Sequence, residues 1–124
     1  YIQMAWKVTF CDEFEPQYEA LDEAVQDELL AQLKVLEQFG PSLGRPQVDT
    51  LTGSKYANMK ELRFRAEHGV WRIAFAFDPA WAAIVLVGGD KSGGSQARFY
   101  KRLIKAADER FDRHLLALEK CKNG

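Results

Sequence analysis

Hydrophobic and polar residues alternate singly through Glu61-Leu62-Arg63-Phe64-Arg65-Ala66. An extended strand there places Leu62, Phe64 and Ala66 on one face and Glu61, Arg63 and Arg65 on the other. Val70–Phe77 repeats the rhythm. Trp71, Ile73, Phe75 and Phe77 share one side, and Arg72 lies on the other among the small residues Val70, Ala74 and Ala76. Ala82–Val87 is apolar on both faces, as a strand in the middle of a sheet would be. Tight connections at Glu67-His68-Gly69 and Asp78-Pro79-Ala80-Trp81 make these three runs an antiparallel meander, with proline suited to the second position of a type I turn.

The flanking segments follow two periods. Ala5–Phe10 alternates, with Trp6, Val8 and Phe10 on one side, and predicts a first strand. Over Glu15–Phe39 the residues Tyr18, Leu21, Val25, Leu29, Leu33 and Leu36 recur every three or four positions, the stripe of an amphipathic helix. A break near Leu21-Asp22 would make it a helix pair, because Asp22 is a fair N-cap. Gly40 and Pro41 end it. Gln47–Leu51 reads as a short edge segment, Thr52–Asn58 as a loop and Gly88–Gly94 as a glycine-rich loop. Ser95–Lys120 predicts a closing helix with Phe99, Leu103, Ala107, Phe111, Leu115 and Leu118 on one stripe.

The order predicts an α+β fold: a small antiparallel sheet with an N-terminal helix or helix pair and a C-terminal helix. The expectation is that the helices cover one face and leave the other partly open, with the arginines on the open side. With 124 residues, the chain reads as a single domain over 4–121, and Tyr1-Ile2-Gln3 as residues preceding a native start at Met4. No run approaches the roughly 20 apolar residues of a membrane helix. No basic segment leads into an apolar one at the start, so the chain reads as cytoplasmic, with no membrane partner. Cys11 and Cys121 then read as reduced thiols. His68 and His114 stand apart, and no Cys/His/Asp cluster has ligand spacing, so neither metal nor other cofactor is expected.

The net charge of −1 argues against a generic nucleic-acid binder, but its distribution changes the picture. Asp12–Gln38 is strongly acidic, with Lys34 its one base. Arg45–Arg72 is mostly basic, and Lys91–Lys105 carries Lys91, Arg98, Lys101, Arg102 and Lys105 with no acid. Such polarity suits an anionic ligand at the centre and a separate partner surface. Arg63, Arg65, Arg72 and Lys91 could form a phosphate-binding face, since the guanidinium fork matches phosphate oxygens. The same residues could equally be a solvated face with cross-strand ion pairs to Glu61. RNA cleavage without metal needs a base for the 2′-hydroxyl, cations for the phosphorane and an acid for the leaving oxygen. Glu61 or Lys60 could supply the base, Lys91 or Tyr100 the acid. Gly88–Gly94 lacks the GxxxxGK[ST] spacing of a nucleotide-binding loop. Of the aromatic groups, Trp71 falls on the core face, whereas Tyr100 beside the basic loop could stack on a base.

Met59-Lys60-Glu61-Leu62-Arg63-Phe64, Gly69-Val70-Trp71-Arg72-Ile73-Ala74-Phe75, Val87-Gly88-Gly89-Asp90-Lys91, Phe99-Tyr100 and Ala107-Asp108 together resemble the RelE/ParE toxin superfamily. The likeness is closest to its HigB-like, phage-derived branch, and it extends upstream through Gly44-Arg45-Pro46 and Asp49-Thr50-Leu51. The resemblance implies the toxin of a type II toxin–antitoxin pair, a metal-independent mRNA endoribonuclease that inhibits translation, in some members on the ribosome. A helix-turn-helix antitoxin would be its partner. By position it implies catalytic roles for Arg63, Arg72, Lys91 and Tyr100, RNA or phosphate binding by Lys60, Arg65 and Arg98, and Glu61 as candidate base. The superfamily also includes DNA gyrase inhibitors, and a non-catalytic interaction module is a third reading.

Overall fold

A computed structural model of the chain describes residues 5–123. The expected start at Met4 and the residues before it lie outside that range. The chain runs β1 (Lys7–Phe10), α1 (Phe14–Glu19), α2 (Glu23–Phe39), a 3-10 turn (Gly40–Ser42), β2 (Val48–Thr50), β3 (Met59–Ala66), β4 (Gly69–Phe77), β5 (Ala82–Asp90) and α3 (Gln96–Asn123). The expected α+β architecture is therefore present, and the N-terminal helical region is a pair that divides at Leu21-Asp22. Asp22 stands at the N-cap of α2 with extended backbone, ψ 146°.

The five strands lie in the order β1-β5-β4-β3-β2. β2 to β5 are antiparallel to their neighbours, but β1 pairs parallel with β5, Val8 opposite Ala83 and Phe10 opposite Val85. The sheet is thus mixed, and the all-antiparallel expectation is corrected at this one edge. β5 is an interior strand between β1 and β4, which suits its two all-apolar faces.

A second correction concerns the layers. α1 and α2 cover one face and α3 the other. The two glycines of β5 show this directly. A Cβ on Gly88 would lie 2.5 Å from Ile73 Cδ1 and 3.6 Å from Phe14 of α1. A Cβ on Gly89 would lie 2.9 Å from the Phe99 ring of α3. These glycines belong to the strand because the side chains from both layers need their space. Ala74 and Ala76, opposite the large residues of β4, are fully buried; they are small because α3 packs there. The arginine face is therefore roofed along part of its length.

The core joins Val25, Leu29, Leu33 and Leu36 of α2 to Leu62, Ile73 and Phe75 on one side of the sheet. Leu103, Ala107 and Phe111 of α3 fill the other. The exit from α2 requires Gly40: its φ is +54°, and a Cβ there would fall 2.2 Å from the Trp6 indole. The loop before β3 is fastened to α3 by two carboxylates. Asp108 accepts from Ser54 Oγ and Lys55 N–H, and Asp112 from Lys55 Nζ at 2.7 Å and from the Tyr56 hydroxyl. The bond to Asp112 pushes the Tyr56 pKa up to about 12. Cys11 is buried, Cys121 exposed, and both are free thiols. Among the described residues no helix is long and apolar enough to cross a membrane.

Phe111 is 1% exposed and meets the Tyr56 ring edge-on at 4.8 Å. Phe111→Ala should lower the unfolding free energy in urea by about 3–5 kcal/mol. A loss below about 1 kcal/mol would show that α3 does not close the core as described.

Candidate functional site

Register builds the site. Arg63 stands directly opposite Arg72 across the β3–β4 pair, and Glu61 is opposite Ala74, one diagonal step from Arg72. Two like charges in direct register repel unless an anion lies between them. Glu61 is that anion. Its Oε1 lies 3.6 Å from Arg63 Nε, 3.8 Å from Arg72 Nε and 3.3 Å from the Tyr100 hydroxyl, which donates to it. The same hydroxyl accepts from Arg72 Nε at 3.3 Å. Arg72 also donates from NH1 to its own strand's Trp71 carbonyl at 2.9 Å. α3 supplies the fourth group, since Tyr100 in its second turn reaches back onto the sheet.

Burial separates the roles. Glu61 and Arg72 are each 6% exposed, whereas the Arg63 side chain is 34% exposed and also faces Asp49 at 4.0 Å. Burial pushes the Glu61 pKa above its usual 4.5, against the Tyr100 hydrogen bond and the charges of Arg72 and Arg63, which pull it down. Burial likewise raises the Tyr100 pKa, so the phenol stays neutral. Lys91 is partly buried, with Nζ 6.0 Å from the centre of the Tyr100 ring. Desolvation and the charges of Arg72 and Arg63 hold its pKa below the ordinary lysine value.

The structure thus brings together Arg63, Arg72, Tyr100, Glu61 and, above the Tyr100 ring, Lys91. Arg65 shares this face of β3, is exposed, and its charge is felt at Lys91. Lys60 does not join them. It alternates onto the Leu62 side of β3 and donates to Thr50 Oγ1 at 3.1 Å. Arg98 is exposed in the first turn of α3 and is not in the cluster. With Lys101, Arg102 and Lys105 it forms a basic stripe opposite the core-facing Leu103 and Ala107. Tyr100, expected to stack on a base, turns its hydroxyl inward instead. Trp71 packs against the core and donates to the Ala66 carbonyl. His114, which stands apart from His68 in sequence, has its Nε2 2.8 Å from Asp78 Oδ2.

Sequence reasoning missed Asp49 and Asp90. Asp49 was invisible because its pairing depends on the β2–β3 register. Asp90 carried a readable signal, an aspartate followed two residues later by a turn N–H. Its Oδ1 accepts from Val70 N–H, Ser92 N–H and Ser92 Oγ at 2.9, 2.9 and 2.6 Å.

Comparison with known proteins agrees with this architecture. The family described as phage-derived protein Gp49-like matches residues 17–112. The putative toxin HigB2 of Mycobacterium tuberculosis is 47% identical over 103 residues, covering 82% of this chain and 51% of HigB2. The chain thus spans about half the length of that relative. The putative toxin HigB3 of the same organism is 45% identical over 96 residues, covering 77% of this chain and 82% of HigB3. The free Escherichia coli toxin RelE, solved as a double arginine-to-alanine mutant, superposes with a TM-score of 0.58 at 15% identity. That match covers 82% of this chain and 95% of RelE, and it shows the shared fold. The chain belongs to the phage-derived Gp49-like family, with the HigB2 and HigB3 proteins among its relatives.

The electrostatics give a direct check. Glu61 should titrate above 4.5 in a carboxyl-carbon NMR experiment, and Tyr100→Phe, which removes a bond to the ionised form, should raise it further. A raised folded-state value means that the Glu61 contribution to stability is fully present below the unfolded pKa. It is lost as pH rises through the folded one. Titration of Glu61 at or below 4.5 would contradict the geometry.

Proposed function

We propose that this protein is the toxin of a type II toxin–antitoxin pair and acts as a metal-independent mRNA endoribonuclease. The toxin role is supported by the HigB2 and HigB3 relatives. The chemistry is supported by one observation, the gathering of Arg63, Arg72 and Lys91 around the Glu61–Tyr100 pair on one face. Arg63 and Arg72 offer guanidinium forks to a phosphate, in a setting where desolvation strengthens each contact.

The reaction would run by attack of the 2′-hydroxyl on the adjacent phosphorus, with breakage of the P–O5′ bond. Glu61 accepts the hydroxyl proton. Its Oε1 is engaged by Arg63, Arg72 and Tyr100, and Oε2 takes part in none of those contacts. A carboxylate whose pKa is raised is a better base near neutral pH than an ordinary one. Arg63 and Arg72 stabilise the charge that builds on the phosphorane oxygens. Lys91 gives a proton to the departing O5′, and its depressed pKa makes it a stronger acid than a solvent-exposed lysine. Tyr100 holds Arg72 and Glu61 in place. Arg65 and Arg98 contact flanking phosphates. The substrate is mRNA, and a helix-turn-helix antitoxin neutralises the toxin in the cytoplasm.

Expression of the wild type should arrest growth and cut mRNA, and the Arg72→Ala, Lys91→Ala double variant should cut at least ~10²-fold more slowly and let cells grow. A folded double variant that still arrests growth would sink the assignment. Arrest with intact mRNA and induced DNA damage would point to gyrase instead.

A further inference from the structure

The site needs Lys91 above the Tyr100 ring, yet Lys91 is the first residue after β5, followed by Ser92, Gly93, Gly94 and Ser95. Gly93 and Gly94 adopt positive φ of +76° and +72°, with open space where a Cβ would sit. A lysine at the edge of such a loop would sample many positions unless its neighbours were fixed. They are fixed by one side chain. The Asp90 carboxylate bridges the first turn of the loop, through Ser92 N–H and Oγ, to the start of β4, through Val70 N–H. Between those anchors the Lys91 N–H donates to the Val70 carbonyl at 2.8 Å.

The surroundings are shaped to this carboxylate. A Cβ on Gly69 would lie 2.9 Å from Asp90 Oδ2 and 2.7 Å from the Trp71 indole nitrogen, so the hairpin leaves room for the aspartate only because residue 69 has no side chain. Past the residues of β5 that pair with β1, the Gln17 carboxamide closes on the Gly88 backbone, donating to its carbonyl at 2.5 Å and accepting from its N–H at 3.4 Å. The strand end is thereby held from α1 on one side and from the β3–β4 hairpin on the other.

We propose that Asp90 is the positioning residue for Lys91: its carboxylate ties the β5 end and the following turn to the start of β4, so that the lysine ammonium is delivered to the arginine cluster. The hydrogen bonds of the Asp90 carboxylate go to Val70 and Ser92, the residues on either side of the Lys91 backbone contact, so it acts through the placement of Lys91. The proposal rests on the ribonuclease reading only for its catalytic consequence. The placement of Lys91 can be measured without RNA.

The test follows Lys91 by ammonium NMR titration in the wild type, Asp90→Ala and Asp90→Asn, with circular dichroism to verify folding and cleavage of an mRNA as a parallel readout. The wild-type lysine should titrate below 10.5. In Asp90→Ala it should move up toward that value, since the lysine leaves the arginines. Cleavage should fall on the order of 10²-fold, with its alkaline limb displaced upward. Asp90→Asn retains an oxygen acceptor for Val70 and Ser92, and should keep both the titration and most of the rate. An unmoved Lys91 titration in folded Asp90→Ala overturns the proposal, as does an Asp90→Asn protein indistinguishable from Asp90→Ala. A displaced titration in Asp90→Ala, retained in Asp90→Asn, while even the wild type leaves RNA intact, upholds the placement and rejects the ribonuclease reading.

Discussion

The structure depends most on a carboxylate buried between two arginines. Glu61 lies on β3 with Arg63 two residues away and Arg72 diagonally across on β4, and Tyr100 of α3 closes over them. A buried ion pair of this kind is not strong evidence of stability, since desolvation offsets much of the attraction. What it supplies is arrangement. Without Glu61, two guanidinium groups in direct register would repel, and the buried Arg72 would lack its counter-charge. Without the arginines, the pKa of a carboxylate this deep would rise further, since their charges pull it down against burial. Each partner is in place because the others are.

The layering makes this charge cluster accessible. α3 roofs the sheet at Ala74 and Ala76 and carries Tyr100 on its second turn, so the sheet face is covered beside the cluster while Arg63 and Lys91 remain partly open. Covering lowers the local dielectric where the charges interact and leaves one side of the cluster open. The acidic α1–α2 layer lies on the opposite face. The charge asymmetry along the chain thus becomes an asymmetry across the sheet, with the arginine side away from the acidic helices. A protein of net charge −1 can present a strongly cationic face in this way.

Much of this could be read from periodicity. The alternation in Glu61–Ala66 and Val70–Phe77 correctly separated the arginines from Leu62, Ile73 and Phe75, and Gly40-Pro41 marked the end of α2. Lys91 and Tyr100 stood out beside the basic loop, the resemblance implied catalytic roles for them, and the structure brings them to one place. What stayed hidden depends on contacts between distant residues. The parallel pairing of β1 with β5 joins positions some 75 residues apart, and no local signal encodes it. Gly88-Gly89 read as loop because glycine weakens a strand in isolation, whereas here Ile73 and Phe99 require its absence of bulk. Lys60 looked like part of the cluster by adjacency, yet alternation sends it to the other face. The small residues of β4 were visible, but not the helix that explains them.

The central claim is that the arginine pair held by Glu61 is a phosphate-binding face. Its most direct test is the salt dependence of binding to a short RNA whose 2′-hydroxyl at the cleavage position is replaced by hydrogen. Each phosphate contact on a single strand contributes roughly −0.7 to the slope of log affinity against log salt. The account predicts that Arg63→Ala, Arg72→Ala protein, verified as folded, binds with a slope shallower than the wild type by about 1 to 1.5. Identical slopes for the two proteins would contradict it.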